Sequence, residues 1–413
     1  MVSDINQDAD TLCPRHADDL HDMLRWALGE GRSLEVVAGG SKRGFGRPVS
    51  ACQRLDLSAL SGITLYEPEE LVLTVAPGTR IAEIDALLAQ RHQRLDFEPP
   101  DLGLLFGGPV GAGTIGGAVA CNLAGPRRIK AGAARDHVLG FHAISGRGER
   151  FKSGGRVVKN VTGFDLSKLM AGSFGTLALM TELTVRALPS PEKVRTVLVQ
   201  GLDDTAAMIA MSRALGSSHE VSGAAHLPSP VAARSHVGYV HNSGGSVTAV
   251  RIEGPGPSVD ARCVGLRKIL SEFGDLEELH MHNSTTFWRE VRDVSYFADA
   301  HDRRQIWRLS VPPMEGADTV ARIAESQMVE AFYDWGGGLV WLAIPPQKDA
   351  CHLTVRSAMS SGHATLIRAG ETMRGSVPVF QPKLEALAEL ERRIKQAFDP
   401  RGVLNLGRMF DGV

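Results

Sequence analysis

The chain has 413 residues, enough for two or three domains around a large core. Its 45 Lys and Arg against 47 Asp and Glu leave a formal net charge of −2, so no basic excess exists to attract nucleic acid or an anionic membrane. Apolar residues make up 43% and charged residues 22%, the balance of a water-soluble globular protein, and the 45 glycines point to tight loops where backbone approaches something closely. The opening MVSDINQDAD has neither a basic nor an apolar signal-peptide region. No apolar run approaches the roughly 20 residues of a membrane span. The five cysteines, Cys13, Cys52, Cys121, Cys263 and Cys351, are scattered without metal-ligand spacing, and a reduced cytoplasmic chain is expected.

The first 190 residues read as α/β. Apolar positions at Leu20, Met23, Leu24, Ala27 and Leu28 predict a helix over His16 to Glu30. A strand follows at Leu34 to Ala38 and runs into the polar loop Gly39-Gly40-Ser41-Lys42. Leu71 to Val75 is a second strand, closed by the turn Pro77-Gly78, and Ile81 to Ala89 is a helix with Thr79 as its expected N-cap. Two more strands are expected at His137 to Ile144 and Leu177 to Val185. The stiff stretch Leu188-Pro189-Ser190-Pro191 marks a boundary. Beyond it, strands at 194–200, 247–253 and 305–311 and helices at 203–214 and 259–273 predict an α+β domain on an antiparallel sheet. A helix over Lys383 to Phe398 leads into Asp399-Pro400-Arg401-Gly402. The expected division is 1–190, 191–368 and a returning segment, 369–413.

Gly111-Ala112-Gly113-Thr114-Ile115-Gly116 is a literal GxGxxG, with Asp136 lying 20 residues beyond it. Its context is wrong for a dinucleotide fold. Loop residues precede it rather than a buried strand, and Asp136 comes before an apolar run instead of closing one. The glycines still leave a row of uncovered N–H groups suited to an extended polar ligand, phosphate above all. Gly39, Gly40, Ser41 and Lys42 form a similar loop of backbone donors, a hydroxyl and a cation that would cradle a diphosphate.

Seven blocks in order carry a resemblance. They are VVAGGSK at 36–42, VAPGT at 75–79, GTIGGAVACN at 113–122, RDHVLG at 135–140, GGRVVKNVTGFDLSKL at 154–169, GSFGTLALMTE at 172–182 and FDPRGVLNLGRM at 398–409. Together they resemble the vanillyl-alcohol oxidase and p-cresol methylhydroxylase superfamily of flavoproteins. VVKNVTGFDL and GHATLIRA narrow this to the smaller of the flavin subunits in bacterial glycolate oxidase complexes. The resemblance implies an α+β fold, with a two-lobed FAD-binding domain and an inserted antiparallel cap. Gly39, Gly40, Ser41 and Lys42 match the family's pyrophosphate loop. Gly78, Thr114, Gly116, Gly117 and Gly125 match positions along the ribityl and diphosphate, and Gly175 and Met180 match the strand flanking adenine or ribose. Asn405 matches an asparagine near the flavin ring. Ser41 stands where covalently flavinylated members often carry histidine, and neither Cys52 nor Cys121 lies at an expected attachment point, so dissociable FAD is implied.

Oxidation of an α-hydroxy acid needs a hydride acceptor, a base for the hydroxyl proton and a cation for the carboxylate. His363 is the candidate base, since histidine suits proton transfer near neutral pH. In a regular strand His363, Thr365 and Ile367 share one face and Arg368 points to the other. Arg289 and Arg292 are alternative carboxylate clamps. A structural role for His363 and a solvated helix face for the two arginines are the plain alternatives. The resemblance implies an FAD-dependent subunit that oxidises glycolate to glyoxylate. It implies as partners a larger homologous flavin subunit and an Fe–S subunit, peripheral to the cytoplasmic face of the membrane. A stand-alone FAD oxidase acting on a sugar or alcohol, and a non-catalytic flavin relay or assembly subunit, remain as alternatives.

Overall fold

Helix α1 (Ala17–Gly29) starts where the Asp19 carboxylate accepts the backbone N–H groups of Arg15 and His16, both at 3.0 Å, and it buries Leu20, Leu24 and Ala27 along one stripe. The computed structural model describes residues 11–51, 53–156, 164–299 and 302–413. Strands β1 (Leu34–Val37) and β2 (Gln53–Asp56) pair in parallel, and the short strand Thr11–Leu12 lies on the other edge of β2. The apolar cluster of α1 seals this small sheet from one side.

The hairpin of β3 (Ile63–Glu67) and β4 (Val72–Val75) leads to α2 (Ile81–Ala89) and then to the short helix α3 (Ile115–Ala120). Next come β5 (Val138–Ser145), β6 (Arg150–Gly154) and β7 (Ala178–Arg186). These strands form an antiparallel sheet in the order β3-β4-β7-β5-β6. Its core joins Leu73, Val75, Leu183 and Val185 of the sheet to Ile84 and Leu88 of α2 and Ile115 and Val119 of α3. Thr79 is not the cap of α2. Arg80 holds that position without a side-chain bond, and the Thr79 hydroxyl binds the carbonyls of Ala76 at 2.7 Å and Gly62 at 3.0 Å. The expected boundary stretch is tied down as well, with Leu188–Pro189 pairing against Gln93–Arg94.

The second sheet has eight strands, all paired antiparallel. They are β8 (Lys193–Gln200), β9 (Gly223–Leu227), β10 (Val247–Gly254), β11 (Leu276–His280), β12 (Gln305–Ser310), β13 (Glu330–Asp334), β14 (Leu339–Ile344) and β15 (His363–Arg368). Their order is β11-β8-β10-β9-β13-β14-β12-β15. One face packs against the helices Asp204–Leu215, Gly256–Leu270 and Gly316–Ala324. The other packs against the first domain, where Phe45, Leu102, Leu105 and Leu123 join its apolar cluster. Both faces are covered, which explains near-continuous apolar runs such as Leu339–Ile344.

A long helix, Glu385–Phe398, then returns to the first domain. Its Lys395 is buried beneath the sheet, with Nζ donating to Asp399 Oδ2 at 2.7 Å and to the carbonyls of Thr176 at 2.6 Å and Leu404 at 2.9 Å. Asp399 in turn accepts the N–H groups of Val403 and Leu404. This knot delivers Leu404 and Asn405 alongside β1, where Leu34 N–H donates to Val403 O at 2.7 Å and Asn405 N–H donates to Leu34 O at 3.0 Å. No helix among the described residues is long and apolar enough to cross a membrane.

Candidate functional site

Three loops interlock backbone to backbone beside β1. Ile81 N–H donates to Gly113 O, Ile115 N–H to Thr79 O and Gly116 N–H to Pro77 O, each at 2.9 Å. Such contact leaves no room for side chains. A Cβ on Gly39 would sit 2.3 Å from Ala112 O, one on Gly116 would meet Pro77 at 2.7 Å, and one on Gly78 would meet Leu57 O at 2.2 Å. Gly125 likewise lies against Glu98 O. These four glycines assemble the loops. Gly40 and Gly117 instead line an open cavity.

Lys42, Cys121, Phe174, Asn405 and Arg408 complete the wall of that cavity. Lys42 Nζ donates to Ser41 Oγ at 3.1 Å and has no carboxylate partner among the described residues; burial lowers its proton affinity. Arg408 donates to the carbonyls of Lys42 at 3.2 Å and Arg43 at 2.9 Å, so it braces the loop while adding positive charge. Two cations beside exposed glycine backbone, short of a counter-charge, fit a diphosphate. Lys42, Ser41, Gly40, Gly117 and Arg408 are the residues that would hold it. Arg408 escaped the sequence reading, although it lies in the last of the seven blocks.

The other expected contacts divide by role. The Thr114 hydroxyl is spent on capping α3, accepting from Gly117 N–H at 3.2 Å. Asn405, with φ +44°, accepts Val36 N–H at 2.8 Å and donates to Phe174 O at 2.8 Å, so it locks three segments together at the cavity edge. Gly175 packs against its amide. Met180 is buried in the core of the five-stranded sheet and does not line this cavity. Cys121 lines the cradle, where burial pushes its thiol up and away from the reactive thiolate. Cys52 and residues 157–163 of the fifth block lie outside the described residues.

A second cavity begins at Cys121, which both share. Asn122, Leu123 and Gly125 wall it from the first domain, and Arg308, Asp334 and Trp341 from the eight-stranded sheet. A family model described as an FAD binding domain matches residues 10–154. The Escherichia coli K12 protein named glycolate oxidase subunit GlcE is 33% identical over 404 residues, spanning 96% of this chain and 97% of that one. The chain belongs to the GlcE family. The glycolate oxidase subunit GlcD of Bacillus subtilis matches over 190 residues at 31% identity, 45% of this chain and 38% of that one. The fold is that of p-cresol methylhydroxylase, with a TM-score of 0.70 over 97% of this chain and 88% of that one, at 13% identity.

In this GlcE-family chain the two domains are joined by buried ion pairs. Arg127 grips Glu253 of β10 at 2.9 and 2.7 Å, and Arg251 of β10 grips Glu98 at 3.0 and 3.0 Å. Arg94 adds a contact to Glu253 at 3.1 Å. Burial alone would raise both glutamates; Arg251 and Arg127 reverse that, holding Glu98 below and Glu253 well below the ordinary carboxylate range.

The expected catalytic residues are spread apart. His363 opens β15 on the face turned toward the first domain, paired with Ser310, but it is exposed and lines neither cavity. Arg368 does not point away as strand alternation predicts. A bulge at Ile306/Trp307 re-aims it to donate to Leu105 O at 3.1 Å and Phe297 O at 2.9 Å, and it pairs with Asp302. Arg289 is exposed, and Arg292 reaches the cavity while paired to Asp293 at 2.7 and 2.8 Å.

Proposed function

We propose that this chain is the FAD-binding subunit of a glycolate oxidase complex, an FAD-dependent oxidoreductase of α-hydroxy acids that converts glycolate to glyoxylate. The observation that carries the reading is near-full-length kinship with a glycolate oxidase subunit, together with a cationic, glycine-walled cradle that opens into a charged cavity. When bound, FAD supplies a two-electron acceptor that takes the α-hydrogen as a hydride. The protein's part is to hold the diphosphate at Lys42 and Arg408 and to cover the reacting centre with the face of the eight-stranded sheet.

The flavin is held without a covalent bond. Electrons leave to a larger homologous flavin subunit and an Fe–S subunit, in an assembly peripheral to the cytoplasmic membrane face. The name subunit on both relatives supports this. So does a row of exposed apolar residues, Leu384, Leu387 and Leu390, at and along the C-terminal helix, a surface suited to a partner. Anaerobic titration of the FAD-loaded chain with glycolate tests the activity, the expected result being bleaching of the flavin absorbance. A flavin untouched by glycolate, alone or in the co-purified complex, overturns the reading. Full turnover by the isolated chain with oxygen, yielding peroxide, overturns the partner assignment.

A further inference from the structure

The cavity beyond Cys121 sets two side chains from central strands against the first domain. Strand register places them. Arg308 pairs with Trp341 on one side and Thr365 on the other, Trp341 pairs with Phe332, and Asp334 pairs with Leu339. Trp307, Leu309 and Tyr333 point into the core on the far face. Arg308 and Asp334 therefore share the near face, two strands and one residue pair apart. Trp341 and Leu339 of the intervening β14 stand on the same face between them, and all four side chains line the cavity.

Each head is short of a partner. Arg308 makes no hydrogen bond or ion pair among the described residues, and its contact is stacking over the Trp335 ring at 5.0 Å. Arg308 is half-buried; a partly desolvated guanidinium without an anion carries a cost, which a bound carboxylate removes through two parallel N–H···O bonds. Arg308 has its proton affinity lowered to about 10 by burial and by Arg128, so it stays charged at neutral pH. Asp334 is 2% exposed; Oδ1 accepts Trp335 N–H at 2.7 Å, and Oδ2 has no partner among the described residues. Burial pushes this carboxyl up to about 7, against the Trp335 N–H bond and the pull of Arg251. Glu98 adds to the rise and Arg308 opposes it. Arg292, also on the wall, is already matched by Asp293.

We propose that Arg308 binds the carboxylate of the α-hydroxy-acid substrate and that Asp334 accepts the proton of its hydroxyl group. The assignment rests on the substrate class proposed above. The hydroxyl proton passes to Asp334 Oδ2; bound FAD would supply the acceptor for the α-hydrogen and its C–H electron pair, so that the C–O bond would become a carbonyl. A carboxylate that titrates near neutrality beside a fixed cation is suited to this task. Trp335 is a positioning residue: its ring carries Arg308, its N–H holds Asp334, and its Nε1 donates to Gly125 O at 3.0 Å across the domain interface.

The test uses oxalate, a non-oxidisable carboxylate, on the FAD-loaded chain, with binding read by calorimetry and by the change in tryptophan fluorescence. Arg308→Met is expected to weaken oxalate at least tenfold, the scale of a lost charge-assisted pair, and Arg308→Lys to recover part of it. In the unaltered protein the dissociation constant should rise as pH passes through about 7, because ionised Asp334 repels the ligand. Asp334→Asn should remove that pH dependence while keeping tight binding, and should slow flavin bleaching by glycolate about 100-fold or more. Circular dichroism and flavin content confirm folding, and if Arg308→Met fails them, Arg308→Lys carries the same comparison with a smaller drop. Unchanged oxalate affinity in the Arg308 variants overturns the clamp. A pH dependence that survives Asp334→Asn but vanishes in His363→Ala overturns the base. Absence of oxalate, glycolate and D-lactate binding to the unaltered protein overturns the substrate class itself, a different failure.

Discussion

Replacing Lys395 by methionine tests how the C-terminal segment is held against the flavin cradle. The side chains of Lys395 and Asp399 are 2% and 0% exposed, and the ammonium satisfies Asp399 and the carbonyls of Thr176 and Leu404. Methionine fills nearly the same volume, so the loss is electrostatic: a buried carboxylate without its cation and two carbonyls without a donor. Breaking one side of a buried pair costs about 3–5 kcal/mol, which for a domain of this size lowers the melting temperature by roughly 6–20 °C. The assay is urea and thermal unfolding followed by tryptophan fluorescence, with flavin release recorded in parallel, because Asn405 and Arg408 ride on the same segment. Adding Asp399→Asn to Lys395→Met should recover at least half of the loss, since the orphaned charge is then gone. A drop below about 1 kcal/mol, or a double variant as weak as the single, refutes the reasoning.

Lys42→Met should weaken FAD roughly 10- to 100-fold, the value of one charged hydrogen bond to phosphate, measured by flavin fluorescence on titration of the apoprotein. Acid precipitation should release the flavin into the supernatant, and yellow colour retained in the pellet would show a covalent bond. The native pKa values of Glu98 and Glu253 lie below their unfolded values, so their contribution to stability is present above about pH 4.3 and is lost as pH falls through the native values. Urea midpoints should therefore fall as pH drops below about 4.3, and keep falling through the depressed native values. The slope should be shallower in Glu253→Gln by about 1.4 kcal/mol per pH unit for the proton no longer taken up.

Local pattern made much of the scaffold legible. Helix α2 is legible at its observed bounds, and the seven strands read from the sequence to within a residue, because apolar periodicity and turn residues act locally. Strands such as Gln53–Asp56, Glu330–Asp334 and Leu339–Ile344 went unread. The glycine-rich loops were legible for a less direct reason. Gly39, Gly78, Gly116 and Gly125 stand where backbone packs against backbone, so they mark close approach between loops. What failed depended on distant partners. Thr79 looks like a cap until the Gly62 and Ala76 carbonyls claim its hydroxyl, and one bulge turns Arg368 around. Arg308 and Asp334 stand 26 positions apart on separate strands, and only the register of β12, β14 and β13 brings them to one face. A signal was present nonetheless: a single charge amid the apolar residues of a central strand, as in Gln305–Ser310, is rare unless it has a use.

The buried arginine–glutamate pairs between the domains bear on how molecules come and go. An opening would have to uncover the apolar contacts of Phe45, Leu102, Leu105 and Leu123 as well as part these pairs. The seam therefore favours one separation of the two domains. On the reading proposed above, a cofactor on the first domain and a proton acceptor on the second would keep their register, at the expense of admitting only slim ligands.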